Sequence, residues 1–143
     1  MNYLLDTCVI SELVKPFPNG KVIDWLRNTP DDRLFLSVVT IGEIRKRISK
    51  RGESKKKTLL TNWLNTLIQD YQNRIYPIDL MVAENWGNLQ VMAEKTGNPM
   101  SSFDSLIAAI AYTHNLVLMT RNEKDFAASH LPIFNPWKID EGE

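Results

Sequence analysis

Two rhythms of apolar residues run through this chain, and the switches between them outline its elements. Tyr3-Leu4-Leu5 is a short apolar run of strand length, after which Ile10, Leu13 and Val14 begin a helical period. Pro16-Phe17-Pro18-Asn19-Gly20 breaks that period as a turn, and Val22, Ile23, Trp25 and Leu26 mark a second short helix. The run LFLSV, following Thr29-Pro30-Asp31-Asp32, predicts another strand ending in Ser37. Thr40 to Lys50 reads as helix, and a long helix carries Leu59, Leu60, Trp63, Leu64, Leu67 and Ile68 on one face. Arg74 to Ile78 is a further strand, and Val82 to Lys95 a helix stopped by Gly97-Asn98-Pro99. SSFDSLIAAIAYTHN opens with serine caps and is apolar almost all round, the pattern of a buried helix. LVLMT and the weaker PIFNPW complete the strands. Short apolar strands alternating with helices predict an α/β fold, a mainly parallel central sheet flanked by helices, in a single domain over 1–143.

That architecture gives the acids a geography. Helices that follow strands, or lead back into parallel ones, begin near the carboxyl edge of the sheet, where open α/β sheets place their ligands. Asp6 ends the first strand, Glu43 is read into the first turn of the helix after LFLSV, and Asp104 into the first turn of the buried helix. Asn122 and Asp125 follow LVLMT. Each has a plain structural reading: Asp6 as a helix cap, Thr40-x-x-Glu43 as a capping box, Asp104 as a partner of the helix dipole, and Asp125 as a solvated acid. Their coincidence on one edge points instead to a cation. Oxygen ligands without His or Cys select a hard ion, magnesium or manganese, over zinc. His114 and His130 have no matching partner and read as structural or exposed, and the four tryptophans read as packing residues.

Composition narrows the classes further. The length suits one domain with its own core, and the single cysteine, Cys8, excludes an internal disulfide and fits a reducing cytoplasm. No apolar run is long enough to span a bilayer, and no signal-peptide core is expected at the start. Seventeen basic residues balance seventeen acidic ones, but Arg45, Lys46, Arg47, Lys50, Arg51, Lys55, Lys56 and Lys57 crowd one stretch. That stretch reads either as a solvated helix face or as a contact for backbone phosphate. Acids dominate the last few residues.

LLDTCVISEL, SVVTIGEI, SSFDSLIAAIAYTHNLVLMTRNEKDF and NPW, in this order and spacing, resemble the PIN-domain ribonucleases, most closely the VapC-type toxins of bacterial type II toxin–antitoxin pairs. The resemblance spans nearly the whole chain. It implies a magnesium-dependent endoribonuclease, usually a homodimer, neutralised by a small cognate VapB-type antitoxin. By position Asp6, Glu43 and Asp104 match the family's three main acids, and Asn122 its fourth polar position, often aspartate. Cys8 stands where asparagine or serine is common, so a polar contact that steadies the first acid would be missing. Asn122 in place of an acid removes a charge and would weaken a second metal site.

Phosphodiester hydrolysis is the chemistry these residues suit, with a magnesium ion on Asp6 and Asp104 and Glu43 completing its shell or orienting water. Thr7 and Thr120 stand beside the acids, and Arg45 with the lysines beyond it would guide RNA. Apolar residues of the helices from Val39 to Leu67 would form a groove for the antitoxin tail, whose arginine would meet the acids. Two other functions remain. An aspartate-nucleophile phosphotransferase usually has a second acid two residues on, where this chain has Cys8. A catalytically inactive PIN-like binding module would bind no ion.

Overall fold

The computed structural model describes residues 1–139. Its strands are β1 (Tyr3–Leu5), β2 (Leu34–Ser37), β3 (Ile75–Tyr76), β4 (Val117–Met119) and β5 (Ile133–Phe134). They form one sheet in the order β3-β2-β1-β4-β5, every neighbouring pair parallel. Helices α1 (Thr7–Glu12), α2 (Gly20–Arg27), α3 (Val38–Ser49), α4 (Lys55–Asp70), α5 (Leu80–Lys95) and α6 (Ser102–Thr113) pack around it. Short 3-10 turns at Asp31–Arg33, Glu123–Ser129 and Pro136–Lys138 complete the elements. The acids noted at the end of the chain lie outside the described residues.

The strands are apolar at successive positions because both faces of the sheet are covered. Side chains alternate across a strand. Leu4 therefore joins a core with Ile107, Ala108, Ile110 and Leu118, while Leu5 joins a second with Val9, Ile10, Leu36 and Met119. The same split separates Leu118 from Met119 in β4. Burying either leucine removes a full side chain from water, so truncation to alanine costs about 2–5 kcal/mol.

Three boundaries differ from the sequence reading. Helix α3 starts at Val38, because Ser37 is the cap and its Oγ accepts from Thr40 N–H at 3.0 Å. Glu43 consequently sits in the second turn, not the first, and the Thr40/Glu43 capping box does not form. Helix α5 starts at Leu80, two residues early, because Asp79 caps it through Val82 N–H at 2.9 Å. The strand read over Arg74 to Ile78 shortens to Ile75–Tyr76.

Helices α5 and α6 end by the same device. Gly97 lies at φ 73° and Asn115 at φ 55°, and the next amide in each case reaches back to Ala93 O or Ala111 O. These are Schellman closures, which need a residue tolerant of the left-handed region. The second one turns the chain from α6 directly into β4.

Candidate active site

The carboxyl ends of β1, β2 and β4 and the N-terminus of α6 bring the predicted acids to one edge. Asp6 is 5% exposed and leaves β1 as the N-cap of α1. Its Oδ1 accepts from Thr7 N–H at 2.8 Å and its Oδ2 from Thr120 Oγ1 at 2.8 Å. Asp6 is therefore a cap and also the centre of a built carboxylate site. Burial pushes its pKa up, against the hydrogen bonds from Thr120, Thr7 and Cys8, and the charge of Asp125 adds to the rise.

Thr120 is fully buried and organises the end of β4. Its hydroxyl donates to Asp6 and accepts from Asn122 N–H at 3.0 Å. Cys8 fills the gap beside this pair. Its Sγ lies 3.7 Å from Asp6 Oδ2 and 3.6 Å from Thr120 Oγ1, and accepts from Arg121 N–H at 3.5 Å. The contact beside the first acid is thus present as a long sulfur contact, weaker than an oxygen or amide would make.

Glu43 is placed by a chain of hydroxyls across three elements. Thr7 Oγ1 donates to Glu43 Oε1 at 2.9 Å and lies 3.2 Å from Thr40 Oγ1, which in turn lies 3.2 Å from Ser37 Oγ. Ser37, Thr40 and Thr7 are all buried, so the chain is held dry and satisfied.

Asp104 sits in the first turn of α6, its N–H bonded to the cap Ser101 Oγ at 3.1 Å. Burial raises its pKa, and the charges of Asp6, Asp125 and Glu43 raise it further against the Ser101 hydrogen bond. That coupling places four acids within electrostatic reach of one another. Asp125 is exposed, yet it bears on both Asp6 and Asp104 and is more than an isolated surface acid. Asn122 is exposed at the same edge and engages Thr120 through its backbone alone.

Among the described residues no three Asp, Glu, His or Cys side chains are arranged to hold an ion between them. Magnesium does not need three: it keeps several waters and is held by one or two carboxylates with substrate phosphate. Asp6 and Asp104 fit that demand. Asp6 Oδ1 accepts one protein hydrogen bond and retains capacity for a second partner, whereas Oδ2 already accepts from Thr120 and, at longer range, from Cys8.

Of the basic stretch, Lys46 lines a cavity with Glu43. Helix α3 carries the chain away from Glu43, roughly 9 Å along its axis by Ser49, so Lys55, Lys56 and Lys57 open α4 beyond the far end of α3. Arg45 bonds Asn65, Arg47 bonds Ser11, and Lys57 pairs with Glu53 at 3.1 Å. An apolar groove lies within the span from Val39 to Leu67. Ile44, Ile48, Leu60 and Trp63, joined by Val14, line this groove of about 230 Å³. Lys15, Arg47, Arg51 and Lys56 rim it.

Two residues escaped the sequence reading. Glu12 is 3% exposed, and its carboxylate accepts from Lys15 Nζ and Asn19 N–H, both at 2.9 Å, locking α1 to the cap of α2. Burial opposes its ionisation, but those bonds and the charges of Lys15 and Arg121 together hold its pKa low. Arg121, directly after Thr120, lies with its guanidinium carbon 5.3 Å from the Trp137 ring centroid. A cation following the last polar residue of a strand was the available signal.

His114 ends α6 stacked on Tyr76 at 3.6 Å, which makes it a packing residue. The tryptophans pack against the core or bond within it, as read.

Carboxylates gathered at the carboxyl edge of a five-stranded parallel sheet define an α/β domain with an all-oxygen site suited to a hard cation. Residues 3–129 match the PIN domain model, and the chain belongs to that family. It is 35% identical to the toxin FitB of Neisseria gonorrhoeae over 135 residues, 94% of this chain and 97% of that protein. It is 32% identical to a VapC ribonuclease of Sinorhizobium fredii over 136 residues, covering 94% and 97%. The crystal structure of FitAcB from Neisseria gonorrhoeae superposes with a TM-score of 0.91 at 34% identity, covering 96% of this chain and 99% of that one. That of VapBC-1 from nontypeable Haemophilus influenzae gives 0.77 at 26%, covering 96% and 100%. PIN-domain VapC nucleases are in general metal-dependent.

Proposed function

We propose that this chain is the toxin of a type II toxin–antitoxin pair, an endoribonuclease that uses magnesium and is neutralised by a small VapB-type antitoxin. The observation that carries the reading is the coupling of Asp104 to Asp6, Asp125 and Glu43 at the sheet edge, in a chain that aligns with named toxins and ribonucleases almost end to end. Asp104, raised by the charges of Asp6, Asp125 and Glu43, sits where a cation or a cationic group would relieve the repulsion.

Asp6 and Asp104 are the residues that would hold the ion. Magnesium, when bound, supplies neutralisation of the scissile phosphate and a water of lowered pKa. The protein's own part is positional. Thr120 and Thr7 N–H fix both oxygens of Asp6, and Thr7 Oγ1 fixes Oε1 of Glu43. Among the described residues Glu43 Oε2 has no protein donor, so it can accept the proton of the attacking water or hold that water in line. Asn122 lies at the rim of the same edge and can donate to substrate. Water then forms the new P–O bond as the bond to the leaving oxygen breaks, and that oxygen takes a proton from solvent to leave as a hydroxyl.

The same acids would receive an arginine of the antitoxin, which binds carboxylates in two-point fashion. The groove floored by Leu60 and Trp63 suits the rest of its tail. No helix among the described residues is long and apolar enough to cross a membrane, and an RNA substrate would place the protein in the cytoplasm, working as a homodimer within the antitoxin complex.

The test is RNA cleavage by the purified chain freed of its antitoxin. Cleavage should require added magnesium, stop in chelator, return with manganese, and be absent in Asp104→Asn. Undiminished cleavage by Asp104→Asn would remove these residues from the reaction, and no ion binding at all would favour the binding module.

A further inference from the structure

The acidic edge poses a problem for the substrate it is read to cleave. RNA is a polyanion, and an ion at Asp6 and Asp104 neutralises only the phosphate at the cut. Neighbouring phosphates would meet Asp125 and Glu43 unless cations flank the site. Lys46 of α3 shares a cavity with Glu43, while Lys55, Lys56 and Lys57 lie beyond the far end of that helix. On the other side of the acids, after β4, stands Arg121.

Arg121 is placed by the machinery that places Asp6. Thr120 Oγ1 grips Asp6, and the next amide, that of Arg121, donates to Cys8 Sγ at 3.5 Å. The exposed side chain leaves this anchored turn and rests against Trp137. Trp137 is itself held, its N–H bonded to Asn135 Oδ1 at 3.0 Å and its ring packed against the core beneath α1 and α2. Asn135 and Lys138 both bond Glu123, which ties the Trp137 turn to the turn after β4. The guanidinium therefore lies on a braced aromatic surface.

The surroundings leave its charge available. Arg121, Asn122, Glu123, Lys124, Asp125 and Lys138 line an open depression of about 500 Å³. Lys138 is paired with Glu123 at 2.7 Å, whereas among the described residues neither Arg121 nor Lys124 has a carboxylate within ion-pair distance. Glu12 feels the charge of Arg121, but its oxygens are taken by Lys15 and Asn19. The depression is thus cationic at Arg121 and Lys124 and acidic at Asp125, where it adjoins the catalytic edge. A cation–π contact with this aromatic face steadies the guanidinium and leaves its N–H groups available for two-point bonding to a phosphate.

We propose that Arg121, laid on Trp137 beside the acids, is an RNA-binding residue that holds a backbone phosphate next to the one being cut. The assignment rests on the ribonuclease reading and adds to it the side on which the strand continues, across the turn after β4. Its chemistry is positional, since phosphate contacts fix register without reading sequence. An acidic side chain of the antitoxin is the competing occupant.

Labelled single-stranded RNA tests it, with cleavage measured on the antitoxin-free protein and binding measured on Asp104→Asn to prevent turnover. Arg121→Gln should raise KM about tenfold with kcat within about twofold. It should lower the slope of log Kd against log salt by about 0.7, the signature of one lost phosphate contact on a single strand. Arg121→Lys should restore the salt slope but only part of the affinity, because it keeps charge and loses the fork. If Arg121 merely braced the Trp137 turn, Arg121→Gln would lower the melting temperature and leave KM and salt slope unchanged, which overturns the proposal. So does loss of antitoxin binding with RNA binding intact. Failure of the unsubstituted protein to bind or cut RNA sinks the ribonuclease reading itself, whereas a normal parent with an indifferent Arg121→Gln sinks only this assignment.

Discussion

Thr120 Oγ1 donates a 2.8 Å hydrogen bond to Asp6 Oδ2 across 114 positions of sequence, joining the ends of two adjacent parallel strands. The hydroxyl also accepts from Asn122 N–H, so a single buried side chain orients an acid and shapes the loop that follows. Replacing it with valine leaves both partners without it. Thr120→Val should cost about 1–3 kcal/mol of stability and reduce kcat/KM by one to two orders of magnitude, while Thr120→Ser keeps most of both. Urea unfolding and RNA cleavage on the same preparations read the two effects. Normal cleavage by Thr120→Val would mean that Asp6 needs no such support.

Asp104→Asn should separate activity from stability. Burial and the neighbouring acids raise the folded pKa of Asp104 above the ordinary carboxylate value of 3.8. The folded form then holds the proton more tightly than the unfolded one. Stability present below pH 3.8 is lost as pH rises through the raised folded value, so the ionised group is a cost at neutral pH. In chelator, Asp104→Asn should melt higher than the parent at pH 7, with the gain vanishing near pH 3. Scans at the two pH values check it, and an equal or lower melting point at pH 7 contradicts the repulsion.

Glu12 runs the opposite way. Its folded pKa is held low by Lys15, Asn19 and Arg121 despite burial, so its contribution is present above the unfolded value and lost as pH falls through the folded one. Glu12→Ala leaves Asn19 N–H without its acceptor and should destabilise by about 2 kcal/mol at pH 7, less in acid. Equilibrium unfolding across that range measures it.

Thr7→Val should release Glu43 Oε1 and unpair one end of the buried hydroxyl chain to Thr40 and Ser37. The expected result is a fall in kcat of at least about tenfold with KM little changed, because the lost bond orients a reacting group and not the substrate. Steady-state kinetics separates the two, and a rise in KM alone would reassign Glu43 to substrate binding.

The lysines at the start of α4 make a contrasting case. Changing Lys55, Lys56 and Lys57 to serine should flatten the salt dependence of RNA binding if the strand reaches the far end of α3. Lys57 already has Glu53 and Arg51 O as partners, so Lys55 and Lys56 should account for most of any change. An unchanged slope assigns the stretch to a solvated face.

Much of this molecule is written in its local pattern. The apolar runs at Leu4, Leu36 and Leu118 specify strands covered on both faces, and the alternation with helices specifies parallel connections. Parallel connections in turn put Asp6, Asp104 and Asn122 at one edge, which is why their meeting was legible without coordinates. Local pattern could not place the start of α3, because Ser37 and Thr40 are both plausible caps, and only packing of Val39 against the core chose Ser37. Nor could it pair Thr120 with Asp6, Thr7 with Glu43, or Arg121 with Trp137. Each pair depends on strand order and register, which arise when distant segments bury apolar surface together. Residue types and periodicity determined which acids could meet; tertiary structure decided which hydroxyls hold them and which cation stands beside them.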